Sequence, residues 1–564
     1  MTAEPLGLPD GPASPDTLRT SWNSWGSPAR GAEVASPAGL GLSARQFLRR
    51  EIGLAELAPA RLPVPADAMR LRPPDLPNDV RARLTEVAEV ADDDAARLGA
   101  TGGKSYRDLV RRRSGDAETA PDAVVRPIDA VAVAAVLRIC AEAGIAVVPL
   151  GGGTSVVGGV EPLRGRFSAV VALDLARLDR LLGIDEESMT ATFQPGIRGP
   201  EAERLLNEHG YTLGHFPQSY EQASLGGYVA TRSAGQASTG YGRSDEMVVG
   251  LRATTPAGEL VLGRAPKSAA GPDLRQLLIG SEGAFGVLTE VTMRIRPRPA
   301  ASRYEAWFFR SFAEGAAAFR TLRQAEAAAD VCRLSDEDET RASLALSGHD
   351  RGLGPRYLQL RGRRCMAVLG FEGPDEVIAI RRRRAARILR DAGGLAVGTG
   401  AGESWRKGRF GAPYLRDDLL DAGVLVETLE TAASWSKLEA VHDAVRIAVQ
   451  DSLGAPDAGR TRATALVLCH VSHLYATGAS LYFTVLARQA DPAEAALAQW
   501  DAAKVAATDA LLAAGGTLTH HHAVGADHRP WLAEEIGELG VATLRAVKAC
   551  LDPAGILNPG KLVP

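Results

Sequence analysis

Three consecutive histidines, His520, His521 and His522, are the residues of this chain most suited to chemistry. Imidazole titrates near neutral pH, so such a group can hold or pass a proton. Neighbours in an extended chain point to opposite faces, so at most two can share one site; His520 and His522 are expected to do so. Seen alone, a histidine tract is more often a surface or metal-binding feature. His470 and His473 have ligand-type side chains three residues apart, but hydrogen-bonded structural roles are expected for them. The five cysteines (140, 332, 365, 469, 550) form no Cys-x-x-Cys pair. That argues against a structural zinc site and a disulfide framework.

A second kind of chemistry is written in glycine. Pro149-Leu150-Gly151-Gly152-Gly153-Thr154-Ser155 follows a short apolar run. Consecutive glycines let backbone N–H groups converge on one concavity, which suits a pyrophosphate. Thr154 and Ser155 add hydroxyl donors. Ser224-Leu225-Gly226-Gly227 with Thr231-Arg232-Ser233-Ala234-Gly235, and Gly280-Ser281-Glu282-Gly283-Ala284-Phe285-Gly286-Val287-Leu288, repeat the theme. One such loop is readily a turn; three suit an extended dinucleotide lying across a domain. The first is neither a G-x-G-x-x-G opening a helix nor a Walker loop.

The elements that must position these residues read as α+β. A chain of 564 residues exceeds one hydrophobic core. Residues 1–115 form an N-terminal extension, loose to about 45 and then short helices broken by prolines, with Trp22 and Trp25 as docking residues in a polar tail. From 116 to 300 a mixed segment alternates strands (145–150, 169–173, 248–254, 258–262, 287–295) with helices at 131–143 and 200–209. Pro297 and Pro299 mark a boundary. From 301 to 519 strands alternate with long amphipathic helices, as in a second domain with an antiparallel sheet. The Arg381–Arg384 run reads as a solvated helix face. Residues 520–564 form a last segment. A net charge near −4 suggests no nucleic-acid partner. No signal-like or membrane-spanning run is visible, so a cytoplasmic protein is expected, meeting any lipid at a membrane surface or in a tunnel.

The three loops, Pro195-Gly196 between them and the tail Leu551-Asp552-Pro553…Asn558-Pro559-Gly560-Lys561 resemble FAD flavoproteins of the vanillyl-alcohol-oxidase (PCMH) type, from about residue 120 onward. The resemblance implies a two-part FAD domain, a cap domain over the flavin and a C-terminal segment returning to the FAD domain. Some relatives link FAD covalently through a histidine in the first loop; Thr154 stands at that place, so non-covalent FAD is expected. Within this family the chain is similar to the alkyldihydroxyacetonephosphate synthases. Trp22-Asn23-Ser24-Trp25-Gly26 resembles their tryptophan motif and His520-His521-His522 their triple histidine. Their catalytic tyrosine falls on Tyr482 in Ala479-Ser480-Leu481-Tyr482-Phe483. Their phosphate-binding arginine falls on Arg416, followed by the similar Glu427-Thr428-Leu429-Glu430-Thr431. A further functional arginine falls on Arg333. FAD contacts carried across are 149–155, Gln218-Ser219-Tyr220-Glu221-Gln222-Ala223-Ser224, 231–234 and 282–288.

The resemblance implies a flavin used as a covalent handle: the fatty acid of acyl-dihydroxyacetonephosphate leaves, a fatty alcohol replaces it, and FAD ends as it began. It also implies a homodimer and peripheral membrane contact. The alternative is an FAD-linked oxidoreductase of the D-lactate or D-2-hydroxyacid dehydrogenase class. Those enzymes carry Asp-Gly-Asn-Leu-His where this chain has Gly478-Ala479-Ser480-Leu481-Tyr482. They carry Glu-His-Gly-Ile-Gly where it has His521-His522-Ala523-Val524-Gly525. With those ligands replaced, no metal is expected. A non-catalytic flavin scaffold is the third reading; the survival of Arg416, Tyr482 and the histidines together argues against it.

Overall fold

The structure is a computed structural model that describes residues 22–26, 39–54, 60–346, 357–358, 360–454 and 465–564. The loose tail expected before residue 22 lies outside the described residues.

Two sheets build the half that carries the glycine loops. In the first, Ala123–Arg126, Val170–Asp174 and Ala146–Leu150 run parallel, with Glu89–Ala91 antiparallel at the edge. The three parallel strands are mostly apolar and buried on both faces, as parallel strands demand. The helix Ala130–Ala143 starts on an Asp129 cap and ends at Gly144 in the left-handed conformation, returning the chain into the strand that feeds the first glycine loop. The second sheet is antiparallel, ordered Gly258–Leu262, Val248–Thr255, Val287–Arg294, Thr190–Phe193, Leu181–Asp185. The chain end returns to this half: Leu557 bridges Val147 in parallel, and Asn558 N–H donates to the Val147 carbonyl at 2.8 Å.

The other half is a seven-stranded antiparallel sheet, ordered Leu395–Gly398, Ala301–Phe309, Cys365–Gly373, Val331–Ser335, Ala465–Val471, Gly478–Arg488, Val424–Ser434. The helices Phe312–Gln324, Leu438–Leu453 and Ala493–Ala513 share one apolar core with it, which takes up Leu481, Phe483 and Val485. Alternation then turns Ser480, Tyr482 and Thr484 to the opposite face. Residues of the N-terminal extension join the same core: Trp25, Phe47, Leu48, Tyr106 and Leu109. Arg381 and Arg382 differ from the solvated face expected of them. They pair with Asp330 and Glu305 at 2.8 and 2.6 Å and pin their helix to the sheet.

Candidate active site

The three glycine loops meet at one cleft of about 670 Å³, partly open to solvent. Pro149, Gly151, Ser155, Ser224, Thr231 and Glu282 through Leu288 contribute to its wall, save Ala284 and Phe285. Gly151 and Gly152 press against the second loop; a Cβ on them would stand 2.3 Å from Ser224 Oγ and 2.2 Å from the Gln222 carbonyl. Gly153 has φ +67°, which side chains resist. Gly227 lines the cleft, and a Cβ there would find only Ser224 Oγ nearby, at 3.2 Å. The bare backbone thus leaves the room an FAD pyrophosphate needs, and the residues fit that group. Gly159, Val160, Leu175 and Ala230 also line it; nothing in their types marked them, because only folding brings them there.

Several carried-over residues have their side chains elsewhere. Tyr220 is fully buried and stacks on Phe410 at 5.4 Å, at the seam with the cap. Glu221 accepts from the Tyr414 hydroxyl, Gln222 Nε2 donates to the Trp25 carbonyl, and Ser233 Oγ meets His215 Nε2 at 3.1 Å. Arg232, at φ 54°, reaches Asp245. Gln218, Ser219, Ala223, Ala234, Leu150 and Thr154 are outside the cleft wall proper. The Glu282 carboxylate turns from the cleft to accept Val524 and Gly525 N–H at 2.9 and 2.8 Å; burial raises it to about 7 despite those bonds. It ties the third loop to the stretch just beyond His522.

On the cap, four strands set one row of polar side chains. Glu430 faces Tyr482 in the ladder, Tyr482 faces His470, and His470 faces Ser335. Arg333 is two residues before Ser335, on the same face. The Tyr482 ring lies between two imidazoles, 5.0 Å from His470 and 5.9 Å from His521, nearly parallel to both, with His522 edge-on at 5.6 Å. Arg333 Nη2 donates to Glu339 Oε1 at 2.7 Å, and that oxygen meets His470 Nδ1 at 3.0 Å. Burial alone would raise the Glu339 carboxyl; His470 and Arg333 outweigh it and hold it at about 2. His470 and His473 thus take the hydrogen-bonded roles, His473 Nε2 bonding the Gly235 carbonyl at 2.8 Å.

The triple histidine departs from strict alternation. The chain bends there, and His520, His521 and His522 N–H all donate to one carboxylate, Glu430, at 2.7, 3.1 and 2.8 Å. Curling round a buried anion brings His521 and His522 to Tyr482 and turns His520 toward Tyr475, so the pairing of His520 with His522 does not hold. Tyr475 OH meets His520 Nε2 at 2.7 Å, and His520 Nδ1 meets His521 Nδ1 at 2.9 Å. Either tautomer of His520 completes this chain, which is what a proton relay requires. Burial holds His522 at about 3 and His520 well below its usual value, so both are neutral at pH 7. Burial raises the Tyr482 phenol, which keeps its proton.

Ligand atoms of Glu430, His520 and His521 lie within 4.8 Å of one another, close enough for a cation. The carboxylate is already spent on three N–H groups and the Thr519 hydroxyl. That saturation favours a structural anion over a ligand.

Arg416 is buried on the helix Ala412–Asp421. Its Nη2 donates to Glu427 Oε1 at 2.8 Å and its Nη1 to the Lys104 carbonyl at 3.0 Å. Its charge helps hold down the Tyr482 phenol against burial. Among the described residues no helix is long and apolar enough to cross a membrane.

Residues 121–263 match an FAD binding domain and residues 298–562 match the C-terminal domain of FAD linked oxidases. The chain is 34% identical to the alkyldihydroxyacetonephosphate synthase of Dictyostelium discoideum over 84% of its own length and 79% of that protein. It is 35% identical to that of Trypanosoma brucei brucei, over 88% and 82%. A solved alkyldihydroxyacetonephosphate synthase superposes with a TM-score of 0.81 at 30% identity, covering 97% of this chain and 99% of that one.

Proposed function

The chain belongs to the alkyldihydroxyacetonephosphate synthase family of FAD-linked oxidases, and we propose that it exchanges the acyl chain of acyl-dihydroxyacetonephosphate for a fatty alcohol. FAD is its cofactor, held without a covalent link in the cleft of the three loops. When bound, it supplies the nucleophilic centre for the exchange and begins and ends each turnover in the same oxidation state.

The observation that carries this reading is the placement of a protonated Tyr482 between two imidazoles, within the field of Arg416. Arg416 anchors the substrate phosphate with the part of its fork that Glu427 and Lys104 leave open. Tyr482 Oη gives its proton to the carboxylate oxygen as the ester C–O bond breaks. It recovers a proton from the incoming alcohol hydroxyl as the ether C–O bond forms. That proton is held in transit along the His521, His520, Tyr475 chain. Arg333 acts through Glu339 and His470, fixing the ring on which Tyr482 rests. Both lipid substrates are met at a membrane surface by a peripheral protein.

Anaerobic mixing of the yellow holoenzyme with D-lactate or D-2-hydroxyglutarate tests the reading. The flavin spectrum is expected to stay oxidised. Bleaching by either acid, with reoxidation by an added acceptor, would identify a dehydrogenase instead.

A further inference from the structure

Trp25 lies beside Arg416 although it belongs to the N-terminal segment. Its N–H and that of Gly26 donate to the two oxygens of Asp417, at 3.0 and 3.1 Å, and its carbonyl accepts from Gln222 Nε2 at 2.6 Å. The segment thus spans from the cap helix bearing Arg416 to the second cofactor loop. The indole is 6% exposed, and the Arg416 guanidinium carbon stands 6.0 Å from its ring centroid. Its Nε1–H is buried and has no acceptor among the described residues. Folded proteins rarely leave such a donor unpaired, because its desolvation then goes uncompensated. Next to it, Arg416 commits two N–H groups to acceptors among the described residues.

Resting on the reading of Arg416 as the phosphate anchor, we propose that the Trp25 indole N–H is a second donor to the substrate's phosphate monoester. An indole donates and never accepts, so it suits an anion oxygen and exchanges no proton there. The ring also lies under the guanidinium, limiting the directions in which the fork can open. Trp25 would therefore both contact the ligand and hold the residue that carries the charge.

The test uses full-length FAD-loaded protein and the variants Trp25→Phe, Trp25→Ala and Arg416→Ala. Phenylalanine keeps a ring over Arg416 and removes the donor. Three quantities are read: KM for acyl-dihydroxyacetonephosphate, the inhibition constant of inorganic phosphate, and bound FAD per chain by absorbance. Trp25→Phe is expected to raise the first two about tenfold, the loss expected for a hydrogen bond to a charged group. FAD content and KM for the fatty alcohol stay as in the parent. Trp25→Phe equal to the parent, with only Trp25→Ala impaired, would overturn the proposal and leave packing alone. Loss of FAD in Trp25→Phe would overturn it too, placing the donor on the cofactor's pyrophosphate. If Arg416→Ala leaves phosphate inhibition unchanged, the phosphate reading of Arg416 fails, independently of the Trp25→Phe result.

Discussion

Glu430 and Tyr482 are directly opposite each other in the ladder of the strands Val424–Ser434 and Gly478–Arg488, and they share one face of the sheet. Glu430 gathers the N–H groups of His520, His521 and His522. The ladder register therefore sets how far the histidines stand from the tyrosine. Glu430→Gln turns an amide N–H₂ into a concavity lined by donors. The expected cost is about 2–4 kcal/mol of stability, from a buried charge-assisted network left part-satisfied. Turnover falls with it while FAD stays bound. Denaturant titration alongside flavin absorbance checks both; a variant as stable and active as the parent would remove Glu430 from the account.

Tyr482→Phe keeps the ring between His470 and His521 and removes only the hydroxyl. FAD binding and KM should change little, and kcat should fall by roughly 10²–10⁴, the range for a positioned acid or base. Steady-state kinetics on flavin-matched samples decide this; retained turnover would mean the proton comes from elsewhere.

Stability should fall on mild acidification. Burial keeps His215, His473 and His522 at about 3 in the fold, whereas an unfolded histidine protonates near 6.5. Between those values the unfolded chain binds more protons, so the stabilisation is complete above 6.5 and is lost as pH falls toward 3. Each such histidine adds a slope of up to about 1.4 kcal/mol per pH unit. Glu339, held at about 2, acts in a lower window, from its ordinary 4.5 downward. Urea midpoints at pH 7.5, 6.0 and 5.0 should therefore drop before carboxylates titrate. A flat profile to pH 5 would show these imidazoles exposed.

Asn558 reaches from the chain end to the backbone of two cleft-lining residues. Its Nδ2 donates to the Gly159 carbonyl at 3.0 Å and the Glu282 carbonyl at 2.7 Å, so one side chain ties the first and third loops. Asn558→Ala should weaken FAD retention by about tenfold or more, at roughly 1 kcal/mol for each bond lost. Flavin fluorescence released during dialysis measures it; unchanged retention would mean the loops hold FAD without the tie.

The glycine loops were legible because a special backbone demands a special residue: Gly153 needs its positive φ and Gly227 its bare surface. The alternation of strands and helices in the cap was legible from its apolar runs. Val424–Ser434 was seen only as a motif, since Glu427 and Glu430, both buried, are acids in the strand and mask its period. Glu339 left no local signal, and Glu430 and Asn558 stood in recognised motifs that did not show their roles; each acts on a partner far along the chain. Alternation failed for the triple histidine because it assumes an extended chain, and a buried anion bends this one. The side chains of Tyr220 and Gln222 are spent at the seam between the halves, which a motif shared with relatives does not reveal.

Exchange without net oxidation is what separates a synthase from a dehydrogenase. Holoenzyme given acyl-dihydroxyacetonephosphate and radiolabelled fatty alcohol, under argon and without an electron acceptor, should form labelled ether product. Fatty acid should be released one for one, with the flavin oxidised throughout. No labelled ether under these conditions, or product only when an acceptor is supplied and reduced, would contradict it.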